Sequence, residues 1–326
     1  MAISQKNKLK AKLIYNPNAG KKRKILFPKG TSLEEISSLL DQYQITVDRF
    51  PTKGPGHATK LAKEAITEGY GMVIVAGGDG TVGEVANGLV NSDMPLAILP
   101  LGSVMNVARM LSIPLDLEKA VELIKINRTR KIDVGCVTRL SGEKLSEPCY
   151  FIESCGLGLE AQMHQAVLEW ERGDKKSLFR LIKVFFEYYR HRATITLDGK
   201  EKIETRAPLV NISNGPYSGV AIPLAPEAKL NDHHLTVTIF RMSKLELFLY
   251  ILKTMRVGKL KSSKISSYAA KKVTVTTRTP RLVHADARIY GQTPVSFSIV
   301  PSALTVVTGF PQPGNSSLLP RTLLDP

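Results

Sequence analysis

Residues Met72–Gly83 read MVIVAGGDGTVG. Met72–Ala76 is an unbroken apolar run, the pattern of a strand buried on both faces of a parallel sheet. Gly77, Gly78, Asp79, Gly80 and Thr81 follow at once, and a helical pattern over Thr81–Asn91 follows them. Strand, glycine turn and helix in that order make one βα unit. Glycine lets a backbone approach a ligand closely, and a helix N-terminus offers N–H groups and the positive end of its dipole. In open α/β sheets ligands bind beyond the carboxyl ends of the strands. The loop therefore reads as a phosphate cradle. Asp79 is placed to hold a metal or a water, and Thr81 to cap the helix or bond a phosphate.

The same rhythm extends to both sides. Strand patterns at Leu9–Tyr15, Ile45–Phe50 and Leu96–Leu101 alternate with helical ones at Ser32–Gln44, Gly56–Gly69, Ser103–Leu111 and Leu117–Asn127. This predicts an α/β domain over residues 1–130, a parallel sheet with helices on both faces. Beyond it the pattern turns mostly to short strands: Lys131–Val137, Tyr150–Ser154, Ala193–Leu197, Leu209–Ser213, Leu235–Phe240, Lys272–Thr277, Leu282–Tyr290, Val295–Val300 and Leu304–Thr308. Only Leu159–Arg192 and Ser243–Val257 read as helices among them. Residues 131–309 thus form a mainly antiparallel, sandwich-like β domain whose last strands can return to the first domain. Residues 310–326, rich in Pro, Ser and Gly, read as a loose tail.

Composition narrows the function classes. The 326 residues carry a formal charge of +16 and 43% hydrophobic residues, enough apolar content for real cores. The richest apolar stretch, Leu245–Leu252, is far shorter than the ~20 residues of a membrane span. No apolar segment follows the basic N-terminus, so no secretory signal is expected. Three cysteines without a Cys-x-x-Cys pair fit free thiols in a reducing, cytoplasmic setting. The charge is concentrated: residues 1–33 and 253–281 each hold nine Lys or Arg and no acid. Such surfaces attract nucleic acid, acidic lipid or nucleotide phosphate.

Two further loops share the carboxyl edge of the predicted sheet: Asn16–Gly20 (NPNAG) and Pro100–Asn106 (PLGSVMN). Thr52 follows the second strand and reaches the same edge. Gly78-x-Gly80-x-x-Gly83 matches the dinucleotide fingerprint, but that reading needs an acid at the end of the next strand. Leu96–Leu101 ends in Gly102-Ser103, and the nicotinamide-dehydrogenase reading falls.

NPNAG, TKGPGHA, GGDGTVGEVANGL and PLGSVMNVARMLSIP, in this order and spacing, resemble the diacylglycerol kinase catalytic-domain family, which includes bacterial lipid kinases and is related to sphingosine and NAD kinases. FIESCGLG from Phe151, LAPEAKLNDHHL from Leu224 and VHADARIYGQTPVSFSIVPSAL from Val283 resemble that family's β-rich second domain. The resemblance spans about residues 10 to 309. It implies an ATP-dependent lipid kinase with ATP in a cleft, acting on a diacylglycerol-like or sphingoid lipid at an anionic membrane surface. Asn16, Thr52, Gly77, Gly78, Asp79, Gly80, Thr81, Val82, Gly83 and Ser103 match its nucleotide positions. Asp232 matches an acid of its Mg2+ network, with the backbone carbonyls of Lys229 and His234 beside it.

Two positions depart from the family. Met105 stands where the family has Asn. Asp286-Ala287-Arg288 stands where it has Asp-Gly-Glu, whose Glu is the general base, and Arg cannot accept a proton. Asp286, Asp79 and Arg288 are the catalytic candidates. On one strand Asp286 and Arg288 would share a face and pair. The alternatives are an NAD-kinase-like enzyme and a catalytically weakened nucleotide- or lipid-binding relative. A nucleic-acid binder would need aromatic-interleaved basic motifs or a helix-turn-helix, which the sequence lacks. His233-His234 reads as surface, Glu153, Glu160 and Glu169 as secondary base candidates. Leu178–Tyr189 reads as core packing or an acyl-chain wall, and Lys253–Lys272 as a membrane-docking stretch. A homodimer is left open.

Overall fold

The computed structural model describes residues 10–19, 32–102, 104–140, 148–158, 179, 183–184, 191–219, 221–257, 260–286 and 288–309. These divide into two units. One holds Lys10 to Ile132 and Ala303 onward, and the other holds Asp133 to Ser302. Ser103, most of 159–190 and the tail beyond 309 lie outside the described residues, as do Glu160, Glu169 and most of the N-terminal basic cluster.

The first unit runs β1 (Lys10–Tyr15), α1 (Leu33–Gln42), β2 (Thr46–Pro51), α2 (His57–Thr67), β3 (Met72–Gly77), α3 (Asp79–Leu89), β4 (Ser92–Pro100), α4 (Asn106–Met110) and α5 (Leu117–Ile126). The four strands are parallel in the order β2-β1-β3-β4. All six residues of β3 are buried, as its apolar run requires. Right-handed crossovers send the chain from β1 outward to β2 over one face and back through β3 and β4 over the other. The helix contacts agree, since α2 packs on α3 and α1 on α5. The order reverses between β1 and β3, which makes the edge there a topological switch point.

Lys12 departs from a solvated basic face. Its side chain is fully buried, with Nζ 2.7 Å from Glu68 and 3.6 Å from Glu64 of α2, and 4.5 Å from the Phe50 ring centroid. The ammonium joins β1 to α2 while its stem packs as a hydrocarbon.

The second unit is antiparallel. After β5 (Thr129–Arg139) come β6 (Cys149–Phe151), β7 (Ser154–Gly158), β8 (His191–Leu197), β9 (Glu201–Ala207), β10 (Leu209–Ser213) and β11 (Leu235–Phe240). Then follow α6 (Lys244–Val257), β12 (Ile265–Ala270), β13 (Lys272–Thr277), β14 (Leu282–Ala285), β15 (Arg288–Gln292) and β16 (Val295–Val307). One sheet has the order β12-β11-β10-β7-β14-β15. Its inward residues, Cys155, Leu157, Val210, Ile212, Val237 and Ile239, meet Ile195, Leu197, Val273, Val275, Val295 and Phe297 of the facing strands. That alternation makes a sandwich core.

Several boundaries differ from the sequence reading. Helix α3 begins at Asp79, with Gly78 as its N-cap, so Thr81 lies inside the helix rather than at its cap. The expected strand Leu282–Tyr290 is two strands broken at Asp286, where φ is +46°. Tyr150–Ser154 is likewise two strands, whereas Val295–Val300 and Leu304–Thr308 are one. His191 and Arg192 open β8 instead of closing a helix. β9 was not anticipated because EKIETRA has little apolar content. It forms by pairing with β8 across a turn at Asp198-Gly199, both left-handed.

Because both carboxylates facing Lys12 are half-exposed, removing the ammonium strands no buried charge. Lys12→Met should keep unfolding free energy within about 1 kcal/mol of the parent in urea titration.

Candidate functional site

At the carboxyl edge of the first unit's sheet, backbone hydrogen bonds lock successive loops together. Asn16 N–H donates to the Ala76 carbonyl at 3.1 Å, Thr52 N–H to Tyr15 at 2.8 Å, and Leu101 N–H to Gly77 at 3.1 Å. The residues that follow β1, β2, β3 and β4 thus lie side by side. Asn16, Thr52 and Gly77–Gly83 come together here, while Ser103 is outside the described residues. The Asn16 Oδ1 accepts from Asn18 N–H at 2.9 Å, which closes a tight turn. A cavity of about 270 Å3 beside Asn16 is bounded by Tyr15, Pro17, Leu33, Glu34 and Leu101.

The glycines have separate reasons. A Cβ on Gly77 would meet Thr81 at 2.8 Å. A Cβ on Gly102 would lie 2.6 Å from the Gly78 Cα and 2.5 Å from the Met105 Sδ. The loops after β3 and β4 therefore touch backbone to backbone. Gly80, in the first turn of α3, is exposed, whereas Val82 is fully buried and supports the loop from beneath.

Asp79 braces this arrangement. Its Oδ1 accepts from Val107 N–H at 3.2 Å, joining the start of α3 to α4. Desolvation pushes its carboxyl above the ordinary range, against the backbone N–H groups of Val107, Asn106 and Met105 and the Arg109 guanidinium. Met105, the first departure from the family pattern, sits buried with φ +55°, and its Sδ accepts from Gly102 N–H at 3.1 Å. A thioether thus occupies a left-handed position that Asn adopts more readily.

Sequence reasoning missed Glu84. Its Oε2 accepts from Gly56 N–H at 3.0 Å and Ala58 N–H at 3.3 Å, so a side chain of α3 caps α2 and fixes the loop after Thr52. The available signal was that α2 starts at a glycine with no side-chain cap of its own.

In the second unit, Asp286 occupies the turn between β14 and β15. Its Oδ2 accepts from Ile152 N–H at 2.8 Å, and its Oδ1 from Glu153 at 2.9 Å and Ser154 at 3.3 Å. Asp286 N–H returns a bond to the Ser154 carbonyl. The premise of a shared strand face with Arg288 fails, because the chain turns at Asp286 and Arg288 opens the next strand. The charges of Asp286 and Arg288 both act on Cys149 and Tyr290. Burial pushes the Cys149 thiol up to about 11 and the Tyr290 hydroxyl well above its ordinary value, so neither ionises near neutrality.

Asp232 lies in a tight turn, its Oδ1 accepting from His234 N–H at 3.1 Å. His234 Nδ1 is 2.7 Å from the Asp232 carbonyl. His233 leans on buried Asp133, whose carboxylate also accepts from His233 N–H at 2.7 Å and Ser302 N–H at 2.8 Å. No cluster of three metal-ligating side chains exists among the described residues. One carboxylate in an open turn fits an Mg2+ held largely through water, as that ion prefers, rather than a closed cage.

These features define a two-part fold with a glycine-built loop at the carboxyl edge of a parallel sheet and an antiparallel sandwich behind it in sequence. The comparisons carry this to a family. Residues 10–137 match the diacylglycerol kinase catalytic domain, and residues 153–308 the YegS C-terminal NAD kinase beta sandwich-like domain. The chain thus carries a diacylglycerol kinase catalytic domain followed by a YegS-type C-terminal domain. It is 28% identical to a diacylglycerol kinase of Staphylococcus haemolyticus (strain JCSC1435), covering 88% of this chain and 84% of that one. It is 26% identical to that of Staphylococcus carnosus (strain TM300), covering 92% and 95%. The fold matches a crystal structure of a diacylglycerol kinase from Bacillus anthracis str. Sterne with TM-score 0.67 at 24% identity, covering 92% and 97%. It also matches yeast NADH kinase with TM-score 0.52 at 12% identity, covering 94% and 85%.

Three substitutions probe the site, one of them a control. Gly102→Ala should cost about 1–3 kcal/mol by overpacking and weaken ATP binding in calorimetry. Gly54→Ala, whose Cβ meets nothing within 4 Å, should leave both unchanged. Asp286→Asn replaces one accepting oxygen with an NH2 that faces a backbone N–H and should lower stability by about 1–3 kcal/mol in thermal melts.

Proposed function

We propose that the chain is an ATP-dependent lipid kinase that phosphorylates the hydroxyl of a diacylglycerol-like or sphingoid lipid. The carrying observation is the backbone contact of Gly78 with Gly102 after β3 and β4, next to the switch point and to Asn16 and Thr52. It leaves peptide N–H groups and the N-terminus of α3 as the lining of the phosphate loop, where anions bind. Membership in the kinase family supports transfer of phosphate rather than mere binding.

In this reading the loop residues hold and orient the nucleotide. Asp79 keeps the loop in place through Val107, and Glu84 keeps the Thr52 loop in place through Gly56. Asp232 is the residue that would hold Mg2+, which would neutralise phosphate charge when bound. Phosphoryl transfer depends chiefly on positioning and charge stabilisation. Arg288 supplies a fixed positive charge to the phosphoryl group in transfer. The kinase works from the aqueous side of an anionic membrane. Among the described residues no helix is long and apolar enough to cross a bilayer.

A second reading, a weakened nucleotide- or lipid-binding relative, is favoured by one fact. Arg288 cannot take a proton, and the nearby Asp286 carboxylate is already bound by three backbone N–H groups.

The test is transfer of labelled γ-phosphate, with Mg2+, to a panel of lipid alcohols in detergent micelles, with NAD as a soluble control. Label on a diacylglycerol-like or sphingoid lipid is expected, and Arg288→Ala should lower kcat by about 10²-fold. Label on NAD alone would move the protein to the NAD-kinase-like class. A marked rate increase in Arg288→Glu would identify the weakened relative, since a restored base is worth roughly 10²–10⁴-fold.

A further inference from the structure

Helix α6 is amphipathic the wrong way round. Leu247 and Thr254 are fully buried, and Tyr250 and Ile251 pack toward the apolar cluster of Leu209, Leu224, Phe240 and Met242. The opposite face carries Leu245, 66% exposed, with Phe248, Leu249 and Leu252 at 44–45%. Their spacing of three, four and seven residues places them on one stripe. Single exposed leucines are ordinary, but a contiguous stripe of this kind marks a surface that is covered in use.

The stripe has a basic border. Lys244 to Lys264 holds six basic residues and one acid, Glu246, which is ion-paired with Lys264. Arg256 lies in line with the stripe and Lys253 flanks it, both exposed. Apolar side chains flanked by cations complement one partner above others, a bilayer with anionic headgroups.

We propose that the outward stripe Leu245, Leu249 and Leu252 of α6 docks on an anionic lipid bilayer, with Lys253 and Arg256 at its headgroups. The inference rests on the lipid-kinase reading for its purpose but on α6 alone for its geometry. Docking by this face holds the second unit at the surface where a lipid alcohol resides. Because the buried face of α6 packs on the sandwich, the stripe is rigidly presented and needs no folding step to bind.

Flotation of the full chain with phosphatidylglycerol–phosphatidylcholine vesicles and with phosphatidylcholine vesicles tests this. The wild type should float with the first, less so at high salt, and weakly with the second. Leu249→Glu/Leu252→Glu should bind about tenfold or more weakly, with an unchanged melting temperature because both positions are exposed. The same variant should lose phosphorylation of vesicle-borne lipid yet keep it in detergent micelles. Lys253→Glu/Arg256→Glu should remove the preference for phosphatidylglycerol. The proposal is overturned if the Leu variant floats like the wild type. It is also overturned if that variant changes only from dimer to monomer in sedimentation, which would assign the face to a second copy. Exposure of residues 159–190 to protease in the variant, with flotation intact, would assign it to the chain itself. Flotation that depends on α6 without lipid phosphorylation in micelles would remove the kinase reading and leave the docking surface standing.

Discussion

Two stretches of backbone meet at Gly78 and Gly102 with no side chain between them. Everything in the first unit's site depends on that approach. A methyl group on Gly102 would lie inside van der Waals contact of both Gly78 and Met105. With the two glycines, the loop after β3 and the loop after β4 form one surface. The Asp79 carboxylate and the Met105 thioether then fasten it from behind. Parallel strands bring these loops to one edge, and the reversal between β1 and β3 sends neighbouring connections to opposite faces, opening space there.

The second unit uses the same economy of backbone bonds for a different end. A carboxylate that accepts three main-chain N–H groups is a fastening, and Asp286 fastens the β14–β15 turn to residues 152–154. Arg288 opens the strand that follows, so this corner sets a fixed positive charge beside a carboxylate occupied by main-chain donors. Asp133 performs a similar task nearby, gathering His233 and Ser302 onto one buried carboxylate. The acids that look most reactive in the sequence of this unit are thus largely occupied in holding loops.

Much of this was legible beforehand. The apolar run Met72–Ala76 and the glycines after it identified the parallel sheet and the turn into α3, because a strand buried on both faces has no polar alternation to hide it. The antiparallel half was read less well. EKIETRA carries charge at most positions and becomes strand β9 only through its pairing with β8, while Leu282–Tyr290 alternates like one strand but bends at Asp286. Glu84 carried no local mark of its role, since the helix it caps lies some 26 to 28 residues away along the chain.

The sequence by itself determined most of the order of elements, the glycine-rich strand-to-helix turn after Met72–Ala76 and the resemblance to the kinase family. These are properties of neighbours along the chain: periodicity, glycine spacing and motif order. Tertiary structure alone decided that Gly102 must be glycine, that Lys12 is buried, that Asp79 and Asp286 act as braces, and that α6 shows leucine to solvent. Each of those depends on which distant backbone or side chain stands within about 3 Å. One-dimensional pattern carries no record of that distance until the chain has folded.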